Sequence, residues 1–285
     1  MLDSKYVQYG IDALCRAHRM NYFTDGHRGA AMIAAYCFCR EVEVEQGAAD
    51  LIGASIDQQW SNTPLCEPFP PGAYEASGID RILECLERSM DYMRQAGHNV
   101  IFPALALKAF HHFPDLLTEA RVDGLCKLIE AFTINEPLSL DQDDEQVDFE
   151  EASDIAEYIL SEMLTVIDAF EGRGQGWSGH LLTYGRALID IKNMGYGKTA
   201  KRGEHGFNLY IKRIRMGPLE TDKPRPEHPQ SVLLPVQREY WQQRVDKSLN
   251  LGHSIKYPYG FYGLVDLARD ETLINQCLDK AYHIF

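Results

Sequence analysis

The sequence predicts an all-α protein, an α/α toroid of about ten to twelve helices built from two duplicated halves. Three observations carry this expectation. Apolar residues recur at three- and four-residue spacing along most of the chain. No alternating polar/apolar run is long enough for a convincing strand, apart from a short stretch at Ser231 to Val236. A Gly-His pair returns four times, each time just before an apolar helix.

The helical spacing is clearest in three segments. Tyr6 to Met20 places Val7, Ile11, Leu14 and Cys15 on one face. Ile79 to Met93 does so with Ile82, Leu83, Leu86 and Met90, and Ile155 to Phe170 with Ile159, Met163, Val166 and Ile167. The four Gly-His pairs are Gly26-His27, Gly97-His98, Gly179-His180 and Gly252-His253, roughly 70 to 80 residues apart. Four residues after each histidine stand Ala31, Phe102, Tyr184 and Tyr257, three of them aromatic. Five residues after stand Met32, Pro103, Gly185 and Pro258, so two copies share a proline.

The copies group in pairs. Thr63-Pro64-Leu65 follows His27 at nearly the distance at which Gly217-Pro218-Leu219 follows His180, and both open Pro-rich connectors, Pro64 to Pro71 and Pro218 to Pro235. The chain therefore divides as one helical domain, 1–285, with repeat halves 1–135 and 151–285 joined by the acidic segment 136–150. Glu136 to Glu151 holds eight acidic residues and no basic one, which reads as a solvated loop between the halves. An EF-hand is a poor match there, because its glycine and terminal spacing are missing. A closed ring buries the flanks of every repeat, whereas an open solenoid, the alternative architecture, needs polar caps.

Composition excludes several classes. A chain of 285 residues buries a full core, and 45% hydrophobic residues with plentiful aromatics rule out a disordered chain. The longest near-continuous apolar run, Ala30 to Cys39, is too short to span a bilayer. The first residues lack the basic-then-apolar pattern of a signal peptide. The seven cysteines are odd in number and form no CxxC pair. Cys15, Cys37, Cys39 and Cys126 sit in apolar helical patterns, as small hydrophobes do. The expectation is a cytoplasmic protein without a disulfide framework or thiolate zinc cluster. A net charge of −14 argues against nucleic-acid partners. Lys192 to Arg225 runs the other way, with nine basic and three acidic residues, a face that balances the acidic segment or meets an anionic ligand.

Function is sought in the repeat histidines, His27, His98, His180 and His253. Near the first turn of a helix, the positive end of the dipole disfavours imidazolium, and a neutral imidazole serves as general base or metal ligand. In a toroid all four would gather at one end of a central cavity, with Phe102, Tyr184 and Tyr257 one turn deeper as substrate-binding rings. His98 and His253 lead as acid/base groups, because Pro103 and Pro258 free backbone carbonyls and open space beside them. For any single histidine a structural hydrogen bond is the commoner role; the set of four is what suggests a site. Gly195-Tyr196-Gly197-Lys198-Thr199 is no phosphate loop, since the required upstream glycine is Lys192.

The segments Gly97-His98-Asn99-Val100-Ile101, Gly179-His180-Leu181-Leu182-Thr183 and Gly252-His253-Ser254-Ile255-Lys256 resemble the histidine-started helices of the questin oxidase-like family, as does His27 with Ala30-Ala31-Met32. The resemblance implies a cofactor-poor, oxygen-dependent ring opening of a polyketide-derived anthraquinone. His27, His98, His180 and His253 would then polarise a carbonyl or remove a phenolic proton. Two other classes stand beside this oxidoreductase. One is a non-catalytic helical repeat protein that binds a protein partner, which predicts sealed histidines and no sizeable cavity. The other is a metal-dependent hydrolase or transferase using some of the histidines with a carboxylate such as Asp25. The sequence names no cofactor or metal, favours a small hydrophobic or aromatic ligand, and leaves a homo-oligomer open.

Overall fold

The computed structural model describes residues 1–134, 136–225 and 231–285. Residue 135, at the end of the first half, and residues 226–230, in the second Pro-rich connector, lie outside them. Among the described residues, twelve α-helices run in chain order: α1 Lys5–Ala17, α2 Tyr22–Glu41, α3 Ala48–Ile56, α4 Gly78–Ser89, α5 His98–His112, α6 Glu119–Ala131, α7 Ala152–Ala169, α8 Gly176–Asn193, α9 Gly197–Arg215, α10 Arg238–Gln242, α11 His253–Val265 and α12 Glu271–Ala281. Among the described residues the only β pairing is an isolated bridge between Tyr74 and Thr118. No helix among the described residues is long and apolar enough to cross a membrane. All seven cysteines are free and six are buried.

The helices that carry the four histidines form the inner layer. α2 packs on α5, α5 on α8, α8 on α11, and α11 returns to α2, so the inner layer closes on itself. α1, α4, α7 and α9 pack outside it, with α6 bridging α1 and α4, and α12 against α7. The outer helices are amphipathic, as their apolar spacing requires. α2, α5 and α11 are buried over most of their length, because inner helices have neighbours on every side.

What spaces the ring is a contact repeated four times. A Cβ placed on Gly26 would lie 2.7 Å from the Phe102 ring, one on Gly97 2.3 Å from the Tyr184 ring, and one on Gly179 2.3 Å from the Tyr257 ring. A Cβ on Gly252 would lie 2.3 Å from the Cβ of Ala31. The glycine before each histidine thus receives the side chain four residues past the next histidine, and the fourth glycine receives that of the first copy. Where that side chain is only Ala31, Trp60 comes within 3.0 Å of the same position and fills the space. Gly97 and Gly252 also adopt positive φ, 87° and 68°, as the residues preceding α5 and α11.

Below the histidines the lumen is filled. A void of only about 10 Å³ is lined by Ile101, Leu105, Thr183, Ala187, Lys256 and Tyr259, among others. Beyond it an ionic network joins all four inner helices. Lys108 contacts Glu41 at 2.8 Å and the Tyr259 hydroxyl at 2.9 Å, and Arg186 bridges Asp190 at 2.9 Å and Glu41 at 3.0 Å. Tyr259 donates to Asp190 at 2.5 Å. The expected central cavity is therefore replaced by packed side chains and a polar plug. Four inner helices leave too little room between their axes for an open channel.

One local expectation is corrected and another refined. Ser231 to Val236 is irregular, not a strand: Ser231 N–H donates to the Tyr282 carbonyl at 2.9 Å, and no strand among the described residues offers a ladder. The acidic segment is a largely exposed loop, as expected, and is also a strap pinned along α9. Asp141 and Asp144 meet Lys212 at 2.6 and 2.9 Å, and Asp148 meets Lys201 at 2.7 Å. Glu145 meets Arg215 at 2.8 Å. Val147 and Phe149 are buried beneath it, their N–H groups donating to Asn208 at 2.8 Å and Glu204 at 3.0 Å. Exposed pairs contribute little singly, so the buried apolar residues and their backbone hydrogen bonds anchor the strap.

If the glycine contacts space the ring, Gly179→Ala will cost about 1–3 kcal/mol by overpacking against Tyr257. Gly97→Ala will cost more, since its φ disfavours any side chain. Gly176→Ala, where nothing lies within 4 Å, will be near neutral. Denaturant unfolding of the three variants checks the order.

Candidate functional site

The closed ring brings all four repeat imidazoles together at one end. Ring centroids are 4.3 Å apart for His27 and His98, 4.5 Å for His98 and His180, and 5.2 Å for His180 and His253. His253 and His27 complete the circuit at 5.2 Å. His98 and His253 are the first residues of α5 and α11. His27 and His180 lie one turn further into their helices, because Asn21 caps α2 from Thr24 N–H and α8 already starts at Gly176. The helix-end dipole thus acts on two of the four, not on all.

Main-chain contacts set the tautomers. His27 Nδ1 lies 2.8 Å from the Phe23 carbonyl and His180 Nδ1 2.5 Å from the Gly176 carbonyl. His98 Nδ1 meets the Gln95 carbonyl. A carbonyl only accepts, so each Nδ1 carries the proton and each Nε2 of the neutral ring presents a lone pair. His98 and His180 point these lone pairs at each other, Nε2 to Nε2 at 2.9 Å. His27 Nε2 and His253 Nε2 are buried without a hydrogen-bond partner.

Burial and mutual repulsion hold the cluster neutral. Desolvation pushes the imidazoles of His27, His98 and His253 well below their ordinary value, and neighbouring histidines and Lys256 push the same way. His180 falls from 6.5 to about 4, through desolvation and then Lys256. Lys256 is itself buried, 5.4 Å from the Phe102 ring, with no ion pair among the described residues. Burial pushes its amine well below the ordinary lysine value.

A cavity of about 460 Å³ opens beside the cluster. His98 and His180 line it; His27 and His253 lie behind them. Of the two leading acid/base candidates, His98 reaches the cavity and His253 does not. His253 is stacked on Tyr257, 4.6 Å between centroids and 12° between planes. Phe102 sits edge-on to His27 and His98, each at 5.1 Å, and Tyr257 edge-on to His180 at 5.5 Å. These two rings buttress the imidazoles from below and do not line the cavity. Tyr184 leaves the site altogether: it packs on Phe207 at 5.4 Å and Tyr210 at 6.0 Å and touches none of the four imidazoles. Asp25 is likewise engaged elsewhere, accepting from Asn21 N–H at 3.0 Å and Arg28 at 3.1 Å.

The remaining cavity wall was not singled out from sequence. Phe23, Met93 and Trp177 supply apolar surface, and Arg173, Lys223 and Arg225 supply positive charge. None of these three cations pairs with a carboxylate among the described residues. A fully buried arginine organises the wall: Arg213 stacks on Trp177 at 4.3 Å, pairs with Glu136 and reaches Asp222 at 2.6 Å. Trp177 Nε1–H also donates to Asp222 at 3.0 Å. Lys223 and Arg225 belong to the basic stretch Lys192 to Arg225, whose anionic-ligand version was the available signal. Lys256 had one too, as a lone lysine in an apolar run.

No family model, no curated protein and no solved structure matches the chain.

The depressed imidazoles set a direction for acid sensitivity. Below pH 6.5 the unfolded chain binds protons that the folded chain refuses, so stability falls as pH drops from 6.5 toward the folded values. His180 alone accounts for about 3 kcal/mol, lost between pH 6.5 and about 4. Denaturant midpoints measured across that window will decline in the native chain and less steeply in His180→Asn. A flat native profile would show that the folded cluster takes up protons freely.

Proposed function

We propose that this chain is an enzyme that oxidises a small, hydroxylated aromatic compound bound in the cavity beside His98 and His180. The observation that carries the reading is the pair of imidazoles, His98 and His180, with Nε2 atoms 2.9 Å apart, lining a cavity of about 460 Å³. That volume lies in the range of small-molecule sites. Trp177, Phe23 and Met93 suit a flat apolar body, and Arg173, Lys223 and Arg225 suit an oxyanion or carboxylate on it. In a neutral imidazole whose Nδ1–H is bound, Nε2 is the atom at which a phenolic proton can be accepted. A phenolate is more readily oxidised than its phenol, which is how proton removal serves the chemistry. The likeness of the Gly-His segments to the questin oxidase-like family supports dioxygen as the oxidant and a polyketide-like ring as the substrate.

The protein-partner reading loses support because it requires that no sizeable cavity exist. The hydrolase reading with Asp25 loses its carboxylate, which is held by Asn21 and Arg28.

Oxygen uptake with a series of hydroxylated anthraquinones, naphthoquinones and single-ring phenols tests the proposal. Turnover is expected for at least one fused-ring member. His98→Gln will lower kcat/KM by about 10²–10⁴ while helix content is kept. Arg225→Gln will act chiefly on KM for substrates that carry negative charge. If no member is consumed or raises the melting temperature, the reading fails.

A further inference from the structure

We propose that His27, His98 and His180 bind one divalent first-row transition-metal ion through their Nε2 atoms, at the wall of the cavity. The inference stands apart from the preceding reading, because metal binding is measured with no substrate present; a nitrogen that holds the ion is not also the base of that reading. It also departs from the cofactor-poor chemistry that the family resemblance implies.

Three independent features of the cluster meet in this assignment. First, every Nδ1–H of the set is donated to a main-chain carbonyl, of Phe23, Gln95 and Gly176. That second bond is what fixes the tautomer and orientation of metal-ligating histidines. Second, the His98 and His180 Nε2 atoms face each other at 2.9 Å with no hydrogen left for either to donate. Two lone pairs at that distance repel unless a positive centre sits beside both. A separation near 2.9 Å is that of two ligands at right angles around an ion ~2.1 Å from each. Third, His27 Nε2 is fully buried, has no hydrogen-bond partner, and belongs to the same group.

One ring nitrogen from each of the three histidines lies within 4.8 Å of the others. An ion at ~2.1 Å from each nitrogen spans somewhat less, so binding draws one imidazole inward by several tenths of an ångström. Three imidazoles and no carboxylate suit zinc, iron, copper or nickel over magnesium or calcium. His98 and His180 line the cavity, so the open coordination positions face it. Neutral ligands leave the ion its full charge for an anionic oxygen arriving there. His253 stays outside the set, stacked on Tyr257.

The test uses untagged, metal-free native protein titrated with Co²⁺. We expect saturation at one equivalent, visible ligand-field absorption, and a higher melting temperature. In proton NMR the Co²⁺ form will show three exchangeable, hyperfine-shifted Nδ1–H signals, one for each ligand histidine. His98→Asn and His180→Asn will each weaken binding about a hundredfold or more, whereas His253→Asn will keep all three signals. The absence of ligand-field absorption at millimolar Co²⁺ overturns the proposal, as does any number of shifted signals other than three. Both readings come from the native chain, so they hold even if a variant fails to fold.

Discussion

Four glycines set the distance between the inner helices, and nearly everything else follows from that spacing. Each is pressed by a side chain from the next helix of the ring, so none tolerates a Cβ without displacement. The contact needs a large group on one side and nothing on the other, and it recurs around the circuit until Gly252 meets Ala31 and Trp60. Close approach is what lets imidazoles from four separate helices touch. A ring held wider by side chains would leave the same histidines as isolated, solvated groups.

Once the helices are that close, the histidines have few choices. The Nδ1–H groups of His27, His98 and His180 find carbonyls in the preceding turn, and their Nε2 atoms are left to converge. Such convergence is costly for like dipoles and forbidding for like charges, which is why the imidazoles stay neutral. The opposite end of the ring bears the reverse arrangement. There Lys108, Glu41, Arg186, Asp190 and Tyr259 satisfy one another and close the lumen with a fixed polar plug. One end of the ring is thus electrically balanced, while the other presents unsatisfied acceptors beside a cavity edged with cations. That asymmetry is why the proposed chemistry is assigned to the histidine end, where a proton, an ion or an anionic ligand would complete the balance.

The repeat made much of this legible. Gly-His at four places, with a bulky residue four positions later, was visible in one dimension and pointed to inner helices and a histidine cluster. Periodicity places the later residue on the same helical face as its own histidine, and Phe102 and Tyr257 do pack on His98 and His253. Its second partner is the glycine of the preceding copy, a relation between helices that no spacing within one helix can express. Tyr184 shows the difference: identical in register to Tyr257, it turns against Phe207 and Tyr210 and never meets an imidazole. The strap from Glu136 to Glu151 was only partly legible, for a similar reason. Its charge was plain, but burial of Val147 and Phe149 depends on α9 lying alongside.

By itself the sequence determined the helical class, the repeat and the identity of the imidazoles, since these rest on local spacing and side-chain chemistry. The tertiary structure decided which imidazoles meet the cavity, which nitrogen each presents, and that the lumen is filled. Those outcomes depend on separations of a few tenths of an ångström between helices far apart in the chain. They also depend on Arg173, Trp177, Lys223 and Arg225, which come from segments outside the repeat and share no pattern with it. Pattern along a chain records what each helix must bury; only packing records what the helices jointly enclose.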